Sequence, residues 1–121
     1  MFKTLLTFLF LITTTYANPI HNGQGTLYIP GPGACGLTNN VNEFVVSIYP
    51  AAFIDNNGKL CGTQVTIKNP QNGATAIATI VDECLKCSTN DLDLSPAVFF
   101  ALQKGNTQVG SGRVPISWMR L

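Results

Sequence analysis

Charge is scarce in this chain. Only 11% of its 121 residues are Asp, Glu, Lys or Arg, and seven cations nearly balance six anions. Without a basic surplus there is no electrostatic footprint for nucleic acid or an anionic lipid surface, and neither is an expected partner. Histidine is almost missing too, His21 being the only one. A structural zinc site needs four thiolate or imidazole ligands, and one His remote from the cysteines does not complete it, so no metal and no cofactor is expected. No apolar run is long enough to span a bilayer, the longest lying within residues 5–12. Asn-x-Ser/Thr triplets are absent, which removes the usual acceptor for an N-glycan. A sustained helical period is lacking as well, which argues against a helical bundle.

The chain opens with Met1-Phe2-Lys3, a positive start, followed by the short apolar run and small or polar residues up to Ala17. That order reads as a secretory signal peptide over residues 1–17, cleaved before Asn18. The expected mature protein is residues 18–121, secreted and extracellular, with no membrane attachment after cleavage. Its 104 residues suit one domain with one core, expected to act as a monomer.

Four cysteines, Cys35, Cys61, Cys84 and Cys87, lie in this mature part. An even number behind a signal peptide points to disulfides, although spacing leaves all three pairings open. Cys84-Leu85-Lys86-Cys87 also has the form of half a zinc site or a redox dithiol. Structural bridging is the reading adopted.

Short runs rich in β-branched residues alternate with Gly, Pro and Asn clusters, the pattern of an all-β domain. Strands are expected near 25–29, 44–48, 63–68, 74–81 and 114–120. Asn57-Gly58 and Asn72-Gly73 mark tight turns, because both residue types tolerate positive φ. One short helix is expected over 97–104, capped by Ser95, begun by Pro96 and stopped by Gly105. Apolar residues on both faces of strand 44–48 suggest a closed barrel.

Five tetrapeptides occur in order: Gly25-Thr26-Leu27-Tyr28, Gly33-Ala34-Cys35-Gly36, Lys59-Leu60-Cys61-Gly62, Val81-Asp82-Glu83-Cys84 and Leu92-Asp93-Leu94-Ser95. Together with Val114-Pro115-Ile116-Ser117-Trp118, this series closely resembles the barrel domain of expansins and rare-lipoprotein-A-like proteins, above all the small secreted fungal members called loosenins. The resemblance implies a six-stranded double-psi β-barrel. It also implies the pairs Cys35–Cys61 and Cys84–Cys87, and a shallow groove holding two aspartates that match Asp82 and Asp93. Thr26 and Tyr28 match polar groove positions on the first strand. This chain departs from the plant members, which carry His-Phe-Asp-Leu where Asp91-Leu92-Asp93-Leu94 stands here, and from two-domain members, which place an aromatic where Cys84 stands.

The partner so implied is cell-wall polysaccharide: cellulose, chitin or peptidoglycan. Glycoside hydrolysis or lytic transglycosylation would need an acid and a base or nucleophile. Related hydrolases of this architecture use a further aspartate near the first strand, and residues 23–28 contain no carboxylate. Binding or loosening without cleavage is therefore expected, with no catalytic residue. A protein-binding effector or protease inhibitor on the same barrel is the alternative. For individual residues the competing readings are structural: Asp82 as a holder of loop amides, Asp93 as a residue approaching the helix, and Tyr49 and Trp118 as core aromatics rather than platforms for a sugar ring.

Overall fold

Alternation of buried and exposed side chains builds the strands of this protein, whose computed structural model describes residues 18–121. The signal peptide expected over 1–17 lies outside the described residues. In order the elements are β1 (His21–Leu27), β2 (Val45–Ile48), α1 (Pro50–Asp55), β3 (Gln64–Lys68), β4 (Thr75–Glu83), β5 (Leu92–Leu94), α2 (Pro96–Ala101) and β6 (Arg113–Arg120). The six strands close into a barrel in the order β1-β5-β2-β4-β3-β6. Pairs β1·β5 and β2·β4 are parallel, and the other four are antiparallel. Closure leaves no unpaired edge to aggregate.

Inward positions follow a period of two: Val65 and Ile67 on β3, Ala76, Ala78 and Ile80 on β4, Leu92 and Leu94 on β5, and Val114, Ile116 and Trp118 on β6. Small alanines on β4 face bulky neighbours, which lets a narrow barrel fill without voids. Helix α2 and its C-cap residue add Val98, Phe99 and Leu102 to this core. Its start is as expected from sequence: Ser95 Oγ accepts from the Val98 amide and donates to the Glu43 carbonyl, with Pro96 in the first turn. The 69–73 turn is tied to the end of this helix, because Asn69 and Asn72 both donate side-chain N–H groups to the Leu102 carbonyl.

Three elements differ from expectation. Helix α1 was not anticipated; six residues show no full apolar period, and Tyr49 at its N-cap makes no side-chain cap bond. The three residues of β5 fall below the length at which alternation is readable. Strand β1 begins at His21 rather than 25 because Gly23 and Gly25, poor strand formers on propensity, are required by crowding. A Cβ on Gly23 would stand 2.3 Å from the Asn90 carbonyl oxygen, and one on Gly25 would stand 2.5 Å from Leu94 Cδ1.

Both disulfides form the pairs the resemblance implied, Cys35–Cys61 and Cys84–Cys87, and no described cysteine is free. Among the described residues no helix is long and apolar enough to cross a membrane.

Candidate functional site

Strand register sets four polar side chains side by side. Thr26 on β1 is opposite Asp93 on β5, Asp93 is opposite Ser47 on β2, and Ser47 is opposite Asp82 on β4. Residues directly opposite in adjacent strands share a face, so the four form a row on the outward-pointing side of the barrel wall, in which Ser47 is covered and the other three are partly exposed. Leu92 and Leu94 are fully buried, which turns Asp93 between them outward. Thr26 Oγ1 donates to the Asp93 carboxylate.

Asp82 has a defined orientation. Its Oδ1 accepts from the amides of Ala34 and Glu83, both at 2.8 Å. The loop reaches it only because residue 33 is glycine: a Cβ there would lie 2.7 Å from the Val81 carbonyl oxygen and 3.3 Å from the Asp82 side chain. Asp82 thus does the amide-holding work of its structural reading and still has its second oxygen for a ligand.

Tyr28 comes next to the row. Its hydroxyl lies beside buried Ser47 but completes no hydrogen bond of good geometry. Burial pushes the phenol above its ordinary value; the Ser47 hydroxyl works the other way, and Asp82 and Asp93 add to the rise by repelling a phenolate. Asp93 is itself held above the ordinary carboxylate value. Burial is the first cause, the Thr26 bond opposes it, and the charges of Asp82 and Asp91 reinforce it.

Beside the row lies a recess of about 260 Å³ walled by Thr26, Asp93, Asp91, Arg113, Lys86 and the Cys84–Cys87 bridge. Asp91 is partly buried, lines this recess and accepts from the Gln24 amide through Oδ1 at 2.8 Å. Asp91 and Ser47 are the residues sequence reasoning missed. Neither carries a local motif, and only cross-strand register brings them to the site.

The two aromatic candidates lie elsewhere. Trp118 is 2% exposed, stacks on His21 with centroids 4.3 Å apart, and donates its Nε1–H to the Asn90 carbonyl. It is a core residue. Tyr49 packs edge-on to Trp118 and lines a separate recess of about 320 Å³ with His21, Asp55 and Arg120. Thus Asp93, Asp82, Thr26 and Tyr28 come together, while Tyr49 and Trp118 do not join them.

Comparison with known proteins agrees with this architecture. The Barwin family profile matches residues 38–119. The chain is 38% identical over 103 residues to "Allergen Asp f 7" of Aspergillus fumigatus, a match covering 79% of this chain and 35% of that protein. It spans about a third of the length of the first curated relatives it matches. A mutant Clavibacter michiganensis expansin solved with cellohexaose superposes with a TM-score of 0.70 at 24% identity, over 85% of this chain and 50% of that one, a likeness of fold. The Streptomyces papain inhibitor superposes at 0.69 with 30% identity, over 85% of this chain and 94% of that one. With more than half of its length matched by the family profile and a closed six-stranded mixed barrel to carry it, the chain belongs to the Barwin family, within the expansin-like and rare-lipoprotein-A-like group of barrels.

Proposed function

We propose that this protein is a secreted, monomeric, non-hydrolytic binder of cell-wall polysaccharide that loosens the wall by competing for the hydrogen bonds between glycan chains. The observation that carries the reading is the row in which Thr26, Asp93 and Asp82 are partly exposed beside a recess walled by charged side chains, with Ser47 and the Tyr28 hydroxyl buried beneath them. Sugar hydroxyls donate well to carboxylates, and a hydrogen bond to an ionised group is about twice as strong as a neutral one. Asp82 is held in place by two backbone amides, so little side-chain freedom is lost when its free oxygen meets a ligand.

Hydrolysis is the weaker reading. Asp93, with its raised value, suits an acid, and Asp91 is a second carboxyl lining the same recess. Retaining or inverting chemistry needs the second carboxyl on the far side of the scissile bond, whereas Asp91 lies two positions from Asp93 along the chain and lines the same recess. The test is co-sedimentation with cellulose, chitin and peptidoglycan, run beside an assay for new reducing ends. Binding to at least one polymer, lost in Asp93→Ala, with no sustained release of reducing ends, is expected. Steady turnover abolished by Asp93→Ala would make the protein an enzyme.

A protease inhibitor is the second reading, favoured by Leu85. It is 78% exposed at the tip of the disulfide-tied 84–87 turn, the form of a rigid apolar probe. The likeness to the papain inhibitor over 94% of that chain supports it. Inhibition of papain that disappears in Leu85→Asp would establish it.

A further inference from the structure

Glycan binding leaves the sulfur wall of the recess unused. Both sulfurs of the Cys84–Cys87 bridge and a carboxylate oxygen of Asp93 lie within 4.8 Å of one another. Cys84 is 5% exposed, whereas Cys87 is partly exposed and opens on the recess. Among the described residues no carboxyl or imidazole clusters in this way with the Cys35–Cys61 bridge.

We infer that the Cys84–Cys87 bridge is an exchange-competent redox centre that accepts electrons from an external dithiol, with Asp93 as its proton donor and acceptor. An incoming thiolate attacks the Sγ of Cys87, the less buried of the two cysteines. The Cys84–Cys87 bond breaks, its electron pair leaves on Cys84 Sγ, and the Asp93 carboxyl gives that thiolate a proton directly or through one water. Asp93, now a carboxylate, takes the proton of the second thiol of the reductant. The thiolate so formed attacks the reductant's own sulfur in the mixed disulfide and expels Cys87, which takes a proton from water. The reductant leaves as a cyclic disulfide and the protein as a dithiol.

Three further features suit this chemistry. Lys86 and Arg113 flank the recess and attract an approaching thiolate. The bridge spans only three positions in sequence, against 26 for Cys35–Cys61, so opening it frees little chain entropy and the reduced barrel keeps its fold. The carboxyl of Asp93 is pushed up, chiefly by burial, and so keeps its proton to higher pH than an exposed aspartate. The charged and titratable groups around Asp93 are Asp82 on β4, Asp91 ahead of β5, Tyr28 after β1, Lys86 in the bridged turn and Arg113 on β6.

The experiment is reduction of the intact protein by limiting dithiothreitol, quenched by alkylation and read by peptide mapping. Cys84 and Cys87 should be labelled about ten-fold faster than Cys35 and Cys61. After division by the reagent's thiolate fraction, the rate should fall several-fold in the wild type as pH rises past the ordinary carboxylate range and Asp93 loses its proton, and stay flat in Asp93→Asn. Thr26→Val removes the hydroxyl that favours the carboxylate and should move the fall to higher pH. Preferential opening of Cys35–Cys61, the same pH slope in Asp93→Asn as in wild type, or no displacement in Thr26→Val would overturn the assignment. None of these readouts depends on glycan binding, so the two readings fail separately.

Discussion

Replacing Asp93 by Asn tests whether this carboxylate is kept at a cost to stability. In the unfolded chain the group loses its proton near the ordinary aspartate value of 3.8; in the folded protein burial holds the value higher, opposed by the Thr26 hydroxyl and reinforced by Asp82 and Asp91. Between those two values the native state binds more protons than the unfolded state, so stability falls as pH rises through the window and stays lower above it. Asn at 93 carries no charge to desolvate and no repulsion towards Asp82 or Asp91, and its Oδ1 still accepts from Thr26. Partial exposure of the site discounts the gain through solvent screening. The net change at neutral pH is therefore expected within about 1 kcal/mol of wild type and in the stabilising direction, a rise of up to about 8 °C for a domain this size. Thermal melts of both proteins from about pH 3.5 to about pH 7.5 should show the variant gaining on the wild type as pH increases. A neutral-pH loss above about 8 °C, or a difference constant across the range, would refute the reasoning and make Asp93 a fold-determining residue.

Opening the long bridge by the double substitution Cys35→Ala and Cys61→Ala should cost about 3.5 kcal/mol through loop-closure entropy alone, measured by denaturant unfolding. Gly33→Ala drives a Cβ to 2.7 Å from the Val81 carbonyl oxygen and displaces the loop that holds Asp82. It should cost about 1–3 kcal/mol and weaken glycan co-sedimentation in parallel. Trp118→Phe leaves the Asn90 carbonyl without its indole donor and should cost about 1–3 kcal/mol by melting, with the Asp93 row intact.

Legibility in the sequence followed the length of each physical signal. Strands β3, β4 and β6 run five residues or more and carry clear alternation, and each was expected within a residue or two of its observed start. Helix α2 was readable from Ser95 and Pro96, whose chemistry is local. By contrast β5 and α1 are decided by contacts made elsewhere in the chain. Leu92-Asp93-Leu94 becomes a strand because β1 and β2 flank it on both sides. Tyr28, Asp82 and Asp93 were assembled by the family resemblance, since they lie far apart in sequence and no periodicity links them. Ser47 and Asp91 were invisible to both routes, one buried in an apolar strand and the other resembling any loop carboxylate.

The placement of Asp82 turns on one irregularity in β4. Val45 pairs with Thr79 and Val46 with Ile80, but Ser47 then pairs with Asp82, so Val81 is an extra residue without a partner on β2. Strict alternation from Ala76, Ala78 and Ile80 would send residue 82 into the core, where an unpaired carboxylate costs several kcal/mol or gives up its charge. The bulge reverses the phase. Val81, 4% exposed, takes up the extra position, and Asp82 swings to the outer face level with Ser47 and Asp93. The Val81 carbonyl, freed from the β2 ladder, accepts instead from the Cys35 amide, which draws in the loop that carries Gly33 and Ala34. That loop supplies the amide that fixes Asp82, and the Cys35–Cys61 bridge anchors it to the chain just before β3. A single added residue therefore moves a charge out of the core, orients it, and completes a polar row on a barrel whose interior is otherwise apolar.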